Sequence, residues 1–275
     1  MITSRVLLEE NSEVPPGRCA PRPACGGLVT GTCPAWAAEV VSSNIVGYNR
    51  VSLTEGFNLL GAQFVNVGGQ IQDIQDFIAS DTTLLGLDDD GMFQSELLVW
   101  NGQGYTTYGW LDADDGTNNE VPEWNNSWLL YDMSDLASVN MTPGMGCWIK
   151  SGADAVVSFK GEVPSATTVT QNLTAGFNLL SNPFPAALPI QAVQSDDLPG
   201  LDDDGMFQTE LLVWNGQGYT TYGWLDADDG TNNEVPEWNN SWLLYDMSDL
   251  ANVTIDMGKG FWIKPATAAS VVFRQ

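Results

Sequence analysis

Residues Gly86–Ala137 read GLDDDGMFQSELLVWNGQGYTTYGWLDADDGTNNEVPEWNNSWLLYDMSDLA, and Gly200–Ala251 repeat this stretch with one change, Ser95 to Thr209. The two copies are offset by 114 residues. Because a solenoid repeat is far shorter, the repeated unit is a whole small domain. Functional residues are therefore expected twice, at matching positions.

Weaker similarity continues on both sides of the repeated block. The motif GFNLL at 56–60 returns at 176–180, and GCWIK at 146–150 returns as GFWIK at 260–264. The first pair is offset by 120 residues, so the first copy holds six extra residues before the block. We predict an internal duplication, with a first β domain over 38–162 and a second over 163–275.

The first 37 residues lie outside the repeat and hold three of the four cysteines. Ala35-Trp36-Ala37 fits the small-x-small pattern that precedes a signal-peptidase site, whereas Glu9, Glu10 and Glu13 oppose a basic start. Segment 1–37 is interpreted as a leader or signal peptide, or alternatively as a disordered tail.

The charge of the chain restricts its partners. Thirty-five acidic residues against nine basic ones give a net charge of −26, and the two repeated blocks contain no Lys or Arg. The negative electrostatic field of such a chain repels nucleic acid and anionic membranes and attracts cations. No stretch approaches the ~18 apolar residues of a membrane span. We therefore predict neither nucleic-acid binding nor membrane insertion, and the acidity indicates either a solvated coat or cation binding.

The residue inventory argues against catalysis. The chain has no histidine, the commonest general base and transition-metal ligand. It has no serine or cysteine nucleophile beside a histidine, no phosphate loop and no redox motif. Cys147 stands where the second copy has Phe261, which indicates a buried apolar position rather than a disulfide. We predict no enzyme activity and assign no catalytic residues.

Short β-branched or aromatic runs separated by turn residues predict an all-β fold, with each copy a β-sandwich or a small barrel. In the first copy the runs are Ile45–Leu53, Phe57–Gln63, Glu96–Trp100, Tyr105–Trp110, Trp128–Tyr131, Gly146–Lys150 and Ala155–Phe159. Asn101-Gly102 predicts a tight hairpin turn. Ile71, Ile74, Phe77 and Ile78 lie at helical spacing and predict a minor helix in the first copy only.

Several motifs carry a resemblance. They are Gly-aromatic-Asn-Leu-Leu, Val-Trp-Asn-Gly-x-Gly-Tyr-Thr, Gly-x-Gly-aromatic-Trp-Ile-Lys and the opening Ile45-Val46-Gly47-Tyr48. Together they resemble β-rich repeat modules of secreted bacterial surface proteins of the Verrucomicrobia and Planctomycetes groups. The resemblance implies an extracellular or cell-surface location and a structural or adhesive role, and it supplies no catalytic residues.

The acidic loop Asp112–Glu120, repeated as Asp226–Glu234, is a candidate calcium site. Calcium takes six to eight oxygen ligands from a flexible loop, which alternating Asp, Asn and a closing Glu can supply. The candidate ligands are Asp112, Asp114, Asp115, Asn118 and Glu120, with Asp226, Asp228, Asp229, Asn232 and Glu234 in the second copy. The alternative is an acidic turn, since Asp and Asn favour turns anyway. Leu87–Gly91 and Leu201–Gly205 can lend further carboxylates.

The aromatic residues of the repeat allow a second hypothesis. Most should fill the core, because Trp and Tyr suit strands and small β domains. Trp110 and Trp124 stand beside the acidic loop, as do Trp224 and Trp238 in the second copy, and we expect these to be exposed. Exposed rings beside carboxylates and amides would bind a sugar.

Two functions follow. The first is a secreted or cell-surface structural or adhesive protein, stabilised by Ca²⁺ and self-associating through its first segment, Val40–Leu53, which could add to the sheet edge of a neighbouring chain. The alternative for that segment is pairing within its own domain. The second function is a carbohydrate-binding module that recognises a surface glycan.

Overall fold

The computed structural model describes residues 46–78, 82–112, 124–226 and 238–275. These ranges form antiparallel sheets with one short α-helix, and none of the described sheets closes into a barrel. The prediction of an all-β fold is confirmed. Within the same ranges, no helix is long and apolar enough to cross a membrane.

The first copy contains nine described strands, and its largest sheet has the order β2-β8-β4-β5-β6. Strand β1 pairs with β9, and β3 pairs with β7. The elements are β1 (Val46–Leu53), β2 (Gly56–Gly61), β3 (Gln72–Asp73), α1 (Ile74–Phe77), β4 (Glu96–Trp100), β5 (Tyr105–Leu111), β6 (Ser127–Leu130), β7 (Asn140–Met141), β8 (Gly146–Ser151) and β9 (Ala155–Glu162).

The second copy repeats this arrangement, with a five-stranded sheet in the order β11-β18-β14-β15-β16. Strand β19 lies between β10 and β13, and β12 pairs with β17. The elements are β10 (Thr168–Leu173), β11 (Asn178–Ser181), β12 (Leu188–Pro189), a 3-10 turn (Ile190–Ala192), β13 (Val193–Gln194), β14 (Thr209–Trp214), β15 (Tyr219–Leu225), β16 (Ser241–Leu244), β17 (Thr254–Ile255), β18 (Gly260–Pro265) and β19 (Ala269–Arg274). Every described sheet takes its strands from one copy alone.

Each copy has its own apolar core between its five-stranded sheet and its smaller sheets. On β4, Leu97 and Val99 point into this core, because side chains alternate between the two faces of a strand. Cys147 lies fully buried in the same core, where burial raises the pKa of its thiol to about 12. Phe261 takes the matching place in the second copy, so the prediction of a buried free thiol is confirmed.

The helix of the first copy is shorter than predicted. Gln72 belongs to β3, and the helix spans only Ile74–Phe77. A hydrogen-bonded glutamine holds this segment in place: Gln75 Nε2 donates to the carbonyls of Trp128 (2.6 Å) and Ala137 (2.7 Å). Its Oε1 accepts from Trp128 N at 3.0 Å. Gln191 makes the same three bonds from the 3-10 turn of the second copy, so these side-chain bonds, rather than helix length, fix the segment.

The outer faces of the two five-stranded sheets pack against each other. This boundary contains apolar side chains from matching positions in both copies: Leu59, Leu98, Trp100 and Trp148 from the first, and Leu179, Leu212, Trp214 and Trp262 from the second. The described part of the protein is therefore layered, with the two large sheets in the middle and the smaller sheets outside.

Reciprocal backbone contacts fix the edges of the boundary. Gly61 N donates to Gly258 O at 3.1 Å, and the matching Ser181 N donates to Gly144 O at 2.8 Å. Close approach needs glycine at two further matching positions. A Cβ at Gly146 would lie 2.5 Å from Leu180 O, and one at Gly260 would lie 2.8 Å from Leu60 O. The Gly-x-Gly motifs are thus explained by contact between copies.

Matching positions of the two copies meet at Gly61 and Ser181. A Cβ built on Gly61 would lie 1.8 Å from Cβ of Ser181, so only one of the two positions can carry a side chain. Ser181 Oγ donates to Met145 O at 3.0 Å. The boundary is therefore nearly symmetric, but its tightest point has room for one side chain only.

We expect Gly61→Ser to destabilise the protein by about 1–3 kcal/mol, since two side chains would compete for one space. Adding Ser181→Gly to that variant should recover most of the loss, because it mirrors the native pair. Urea unfolding of the wild type, both single variants and the double variant gives the coupling energy. Simple additivity of the two single changes would contradict this account of the boundary.

Candidate functional site

The first residue of each candidate calcium loop is described. Asp112 follows β5, and its Oδ2 accepts a hydrogen bond from Gly86 N at 3.0 Å; Asp226 accepts from Gly200 N at 3.1 Å. These bonds hold the start of each loop beside the neighbouring acidic turn. The other candidate ligands lie outside the described residues: Asp114, Asp115, Asn118, Glu120, Asp228, Asp229, Asn232 and Glu234.

The stretch Leu87–Gly91 forms a closed acidic turn. Asp88 Oδ1 accepts from the backbone N–H groups of Asp90 (3.0 Å) and Met92 (2.8 Å). Gly91 has a φ of 76°, which favours glycine. The same bonds recur in the second copy. The first carboxylate thus serves the turn itself, and within the described ranges no group of three or more His, Cys, Asp or Glu residues could hold a metal.

The expected exposure of Trp110 and Trp224 is wrong. Their exposed fractions are 2% and 1%, and their rings meet those of Trp128 and Trp242 at centroid distances of 5.1 and 5.2 Å. Strand alternation explains the error: Trp110 lies on the same face of β5 as Tyr108, which is the core face. Its closeness in sequence to the acidic loop has no bearing on where its side chain points.

Trp124 and Trp238 are half-buried. Trp124 packs against a small cluster formed by Leu87, Phe93, Leu111 and Leu129, next to the acidic turn. Trp238 packs against the equivalent cluster of the second copy. These two rings remain partly accessible, but they also support the turn beside them.

Six aromatic side chains form a closed circuit across the boundary, which we call the boundary aromatics: Trp100, Tyr105, Trp148, Trp214, Tyr219 and Trp262. The rings of Trp100 and Trp262 meet edge to face at 5.2 Å, and those of Trp148 and Trp214 at 5.4 Å. Within each copy the Trp148 and Trp262 indoles donate to the hydroxyls of Tyr105 and Tyr219, both at 3.1 Å. The ring contacts link the two copies, and the hydrogen bonds join a tryptophan to a tyrosine within each copy.

Sequence reasoning did not place the boundary aromatics, although β4 carries a usable signal. Its run Leu97-Leu98-Val99-Trp100 is apolar at every position, which is typical of a strand buried on both faces. An alternating pattern would have left one face in water. Some exposed aromatic residues lie near the boundary between copies: Phe57, Tyr105, Phe177 and Tyr219.

A cleft of about 350 Å³ opens on one side of this boundary. Its lining includes Phe57 from the first copy and Trp214, Asn215, Asp256 and Lys259 from the second. Burial lowers the pKa of Lys259 below its ordinary value, and the nearby Asp256 carboxylate acts in the opposite direction. The cleft combines aromatic surface, amide groups and a partly desolvated ammonium group.

Comparison with protein-family models, curated proteins and solved structures gives no match for this chain.

The boundary tyrosines, Tyr105 and Tyr219, should lose their protons at a higher pH than an ordinary tyrosine does. The pKa values of Tyr105 and Tyr219 lie above 10.0, mainly because the two side chains are partly buried. The charge of Tyr219 raises the pKa of Tyr105 further. A raised folded-state pKa stabilises the folded protein fully below the unfolded pKa, and this contribution is lost as the pH rises through the folded pKa. The free energy of unfolding should thus fall above pH 10.0.

Ultraviolet absorbance of tyrosinate, followed in folded and in urea-unfolded protein, measures this shift. The Tyr105→Phe, Tyr219→Phe double variant should lose part of the late-titrating absorbance and show a weaker fall in stability. Identical titration curves for folded and unfolded protein would contradict it.

Proposed function

We propose that this chain is a secreted or cell-surface protein with a structural or adhesive role. The observation that carries the proposal is the boundary between the copies. An apolar face with four tryptophans joins the two β units on top of their separate cores. Such a double unit suits a spacer or scaffold that must hold a fixed shape, since large apolar interfaces resist separation of their parts.

The surface chemistry supports the same proposal. A net charge of −26 keeps the surface of such a protein hydrated and opposes casual association. The motifs that resemble those of secreted bacterial surface modules have structural roles in this chain. Asn58 Nδ2 donates to Thr54 O at 2.8 Å and closes a short loop, in the middle of which Gly56 has a φ of 92°. The motif therefore encodes a fold, as a structural protein requires.

This proposal is tested in the source organism. Antibody raised against the chain should label intact, unpermeabilised cells, and a deletion strain should attach less to its natural surface than the parent does. Attachment should return when the gene is restored. Labelling that requires permeabilised cells, or a deletion strain with unchanged envelope and attachment, would overturn the surface role.

Carbohydrate binding at the acidic loops is a second candidate. The half-buried Trp124 and Trp238 beside those loops favour it, whereas the buried Trp110 and Trp224 offer no surface to a sugar. A surface glycan is the partner that this candidate implies. We place it second because two of its four proposed rings belong to the core.

Calcium is proposed as a stabilising ion of the loops Asp112–Glu120 and Asp226–Glu234. The chemistry of the donor set is suitable, since carboxylate and amide oxygens are what this ion prefers. Each loop begins at a carboxylate held by a backbone bond, from Gly86 or from Gly200, which fixes one end of the loop. The identical sequences of the two loops imply two sites of similar affinity.

Calorimetric titration with calcium should show two equivalent sites and a rise in melting temperature. Calcium at about 100 times its Kd would add about 2.7 kcal/mol per site by mass action. Replacing Asp114 and Asp115 with Asn should halve the stoichiometry, and Asp89→Asn serves as a control that removes a carboxylate from the neighbouring turn. If millimolar calcium gives no heat and no change in melting temperature, only the acidic-turn interpretation is left.

We still propose self-association, but at the edge of β1 and not through a first segment that leaves its own domain. Strand β1 pairs with β9 over its full length, from Val46 opposite Glu162 to Leu53 opposite Ala155. This favours the alternative in which the segment pairs within its own domain. Within the described ranges β1 has no second strand neighbour, so that edge is where another chain would add. The charge requires that such an assembly depend on screening by salt or calcium.

A further inference from the structure

The cleft described above differs from its counterpart on the other side of the boundary. The two sides are related by the duplication, so Trp214, Asp256 and Lys259 correspond to Trp100, Thr142 and Met145. At these three matching positions, only the second copy carries a carboxylate and an ammonium group. This asymmetry stands out because the surrounding boundary positions are so closely repeated.

The aromatic part of the cleft is open. Phe57 is 51% exposed although it lies beside Trp148, with ring centroids 6.0 Å apart. On the opposite side, Trp100 Nε1 donates to Phe177 O at 3.0 Å, a bond that ties the indole to the other copy. The described residues give Trp214 no corresponding bond, which leaves its indole N–H available to a ligand.

Lys259 is the basic group of this cleft. The other lysines on the large sheets are already paired: Lys150 with Glu96 and Lys264 with Glu210, both at 3.0 Å. Lys259 has no salt bridge of this kind within the described ranges, although burial disfavours its charge. An anionic ligand group would compensate that cost.

The rest of the lining is suited to hydroxyl groups. Ser52, Thr54, Asn215 and Thr254 offer groups that both donate and accept hydrogen bonds. A volume of about 350 Å³ lies within the ordinary range of small-molecule sites, and the mixture of aromatic surface with a few polar groups is typical of them.

We propose that this cleft binds an acidic sugar, a uronic acid unit of a polysaccharide, with its ring against Phe57 and Trp214 and its carboxylate paired with Lys259. The exposed Asp256 and the neighbouring amide and hydroxyl groups would bind the sugar hydroxyls. The negative field of the protein opposes an acidic ligand at long range, but physiological salt screens that field within about 8 Å. Binding should therefore be weakest at low ionic strength. The proposal goes beyond the structural or adhesive role, which does not depend on it.

Calorimetric titration of the full chain tests the proposal, with digalacturonic acid as the probe. Its methyl ester, which keeps the hydroxyls and lacks the charge, is the comparison ligand. We expect the acid to bind at least about tenfold more tightly than the ester. Lys259→Met should abolish that difference while leaving the affinity for the ester unchanged. Trp214→Ala should weaken both ligands.

The duplication supplies the controls. Met occupies the matching position 145, so Lys259→Met introduces a residue that the other copy already accommodates, and its melting temperature confirms folding. Should it fail to fold, Lys259→Gln replaces it in the same comparison. Lys264→Met removes the same charge from a lysine outside the cleft and should leave binding unchanged. Absence of binding by the acid, equal affinity for acid and ester, or equal effects of Lys259→Met and Lys264→Met would each overturn the proposal.

Discussion

The packing of two sheet faces around four tryptophans is the interaction on which the rest of this structure depends. Each five-stranded sheet would otherwise expose Leu and Trp side chains on its outer face, and a large exposed apolar patch favours aggregation. Burying the two faces against each other removes that surface from water. It also lets β4 and β14 be apolar on both sides over Leu97–Trp100 and Leu211–Trp214, which explains why these strands lack the alternation of a one-sided sheet.

The polar interactions at the boundary set the orientation of side chains more than they add to the stability of the protein. The pairs Lys150–Glu96 and Lys264–Glu210 are partly exposed and should contribute little, since exposed ion pairs are typically worth about 0–1 kcal/mol. The indole bonds to Tyr105 and Tyr219 instead set the orientation of the rings. Apolar contact thus holds the two copies together, while hydrogen bonds define how they meet.

Much of the fold could be predicted from the sequence, because local patterns determine strands and turns. Strand β4 occupies its predicted range, and the Asn101-Gly102 turn forms as expected, with Asn101 Oδ1 accepting from Gly104 N at 2.9 Å. The helix is shorter than the apolar spacing predicts, and Gln75 anchors the segment through contacts far away in sequence. Hydrogen bonds between residues far apart in the chain produce no periodic pattern in the sequence.

The candidate sites were harder to predict for a related reason. The sequence neighbours of Trp110 predict an exposed ring, whereas the face of β5 on which it lies decides its burial. The cleft joins Phe57 to Trp214 and Lys259, residues that come together only through packing of one copy on the other. The differences between repeats at the cleft, Met145 against Lys259 and Thr142 against Asp256, are nevertheless visible in the sequence.

The unequal pair of Gly61 and Ser181 has a consequence for pairing specificity. Two first copies would bring glycine against glycine and leave a gap, and two second copies would bring serine against serine and collide. The native combination, one of each, therefore fills the space best. The difference therefore disfavours pairing between like copies of two chains, whereas the first copy of one chain meets the second copy of another through the native combination.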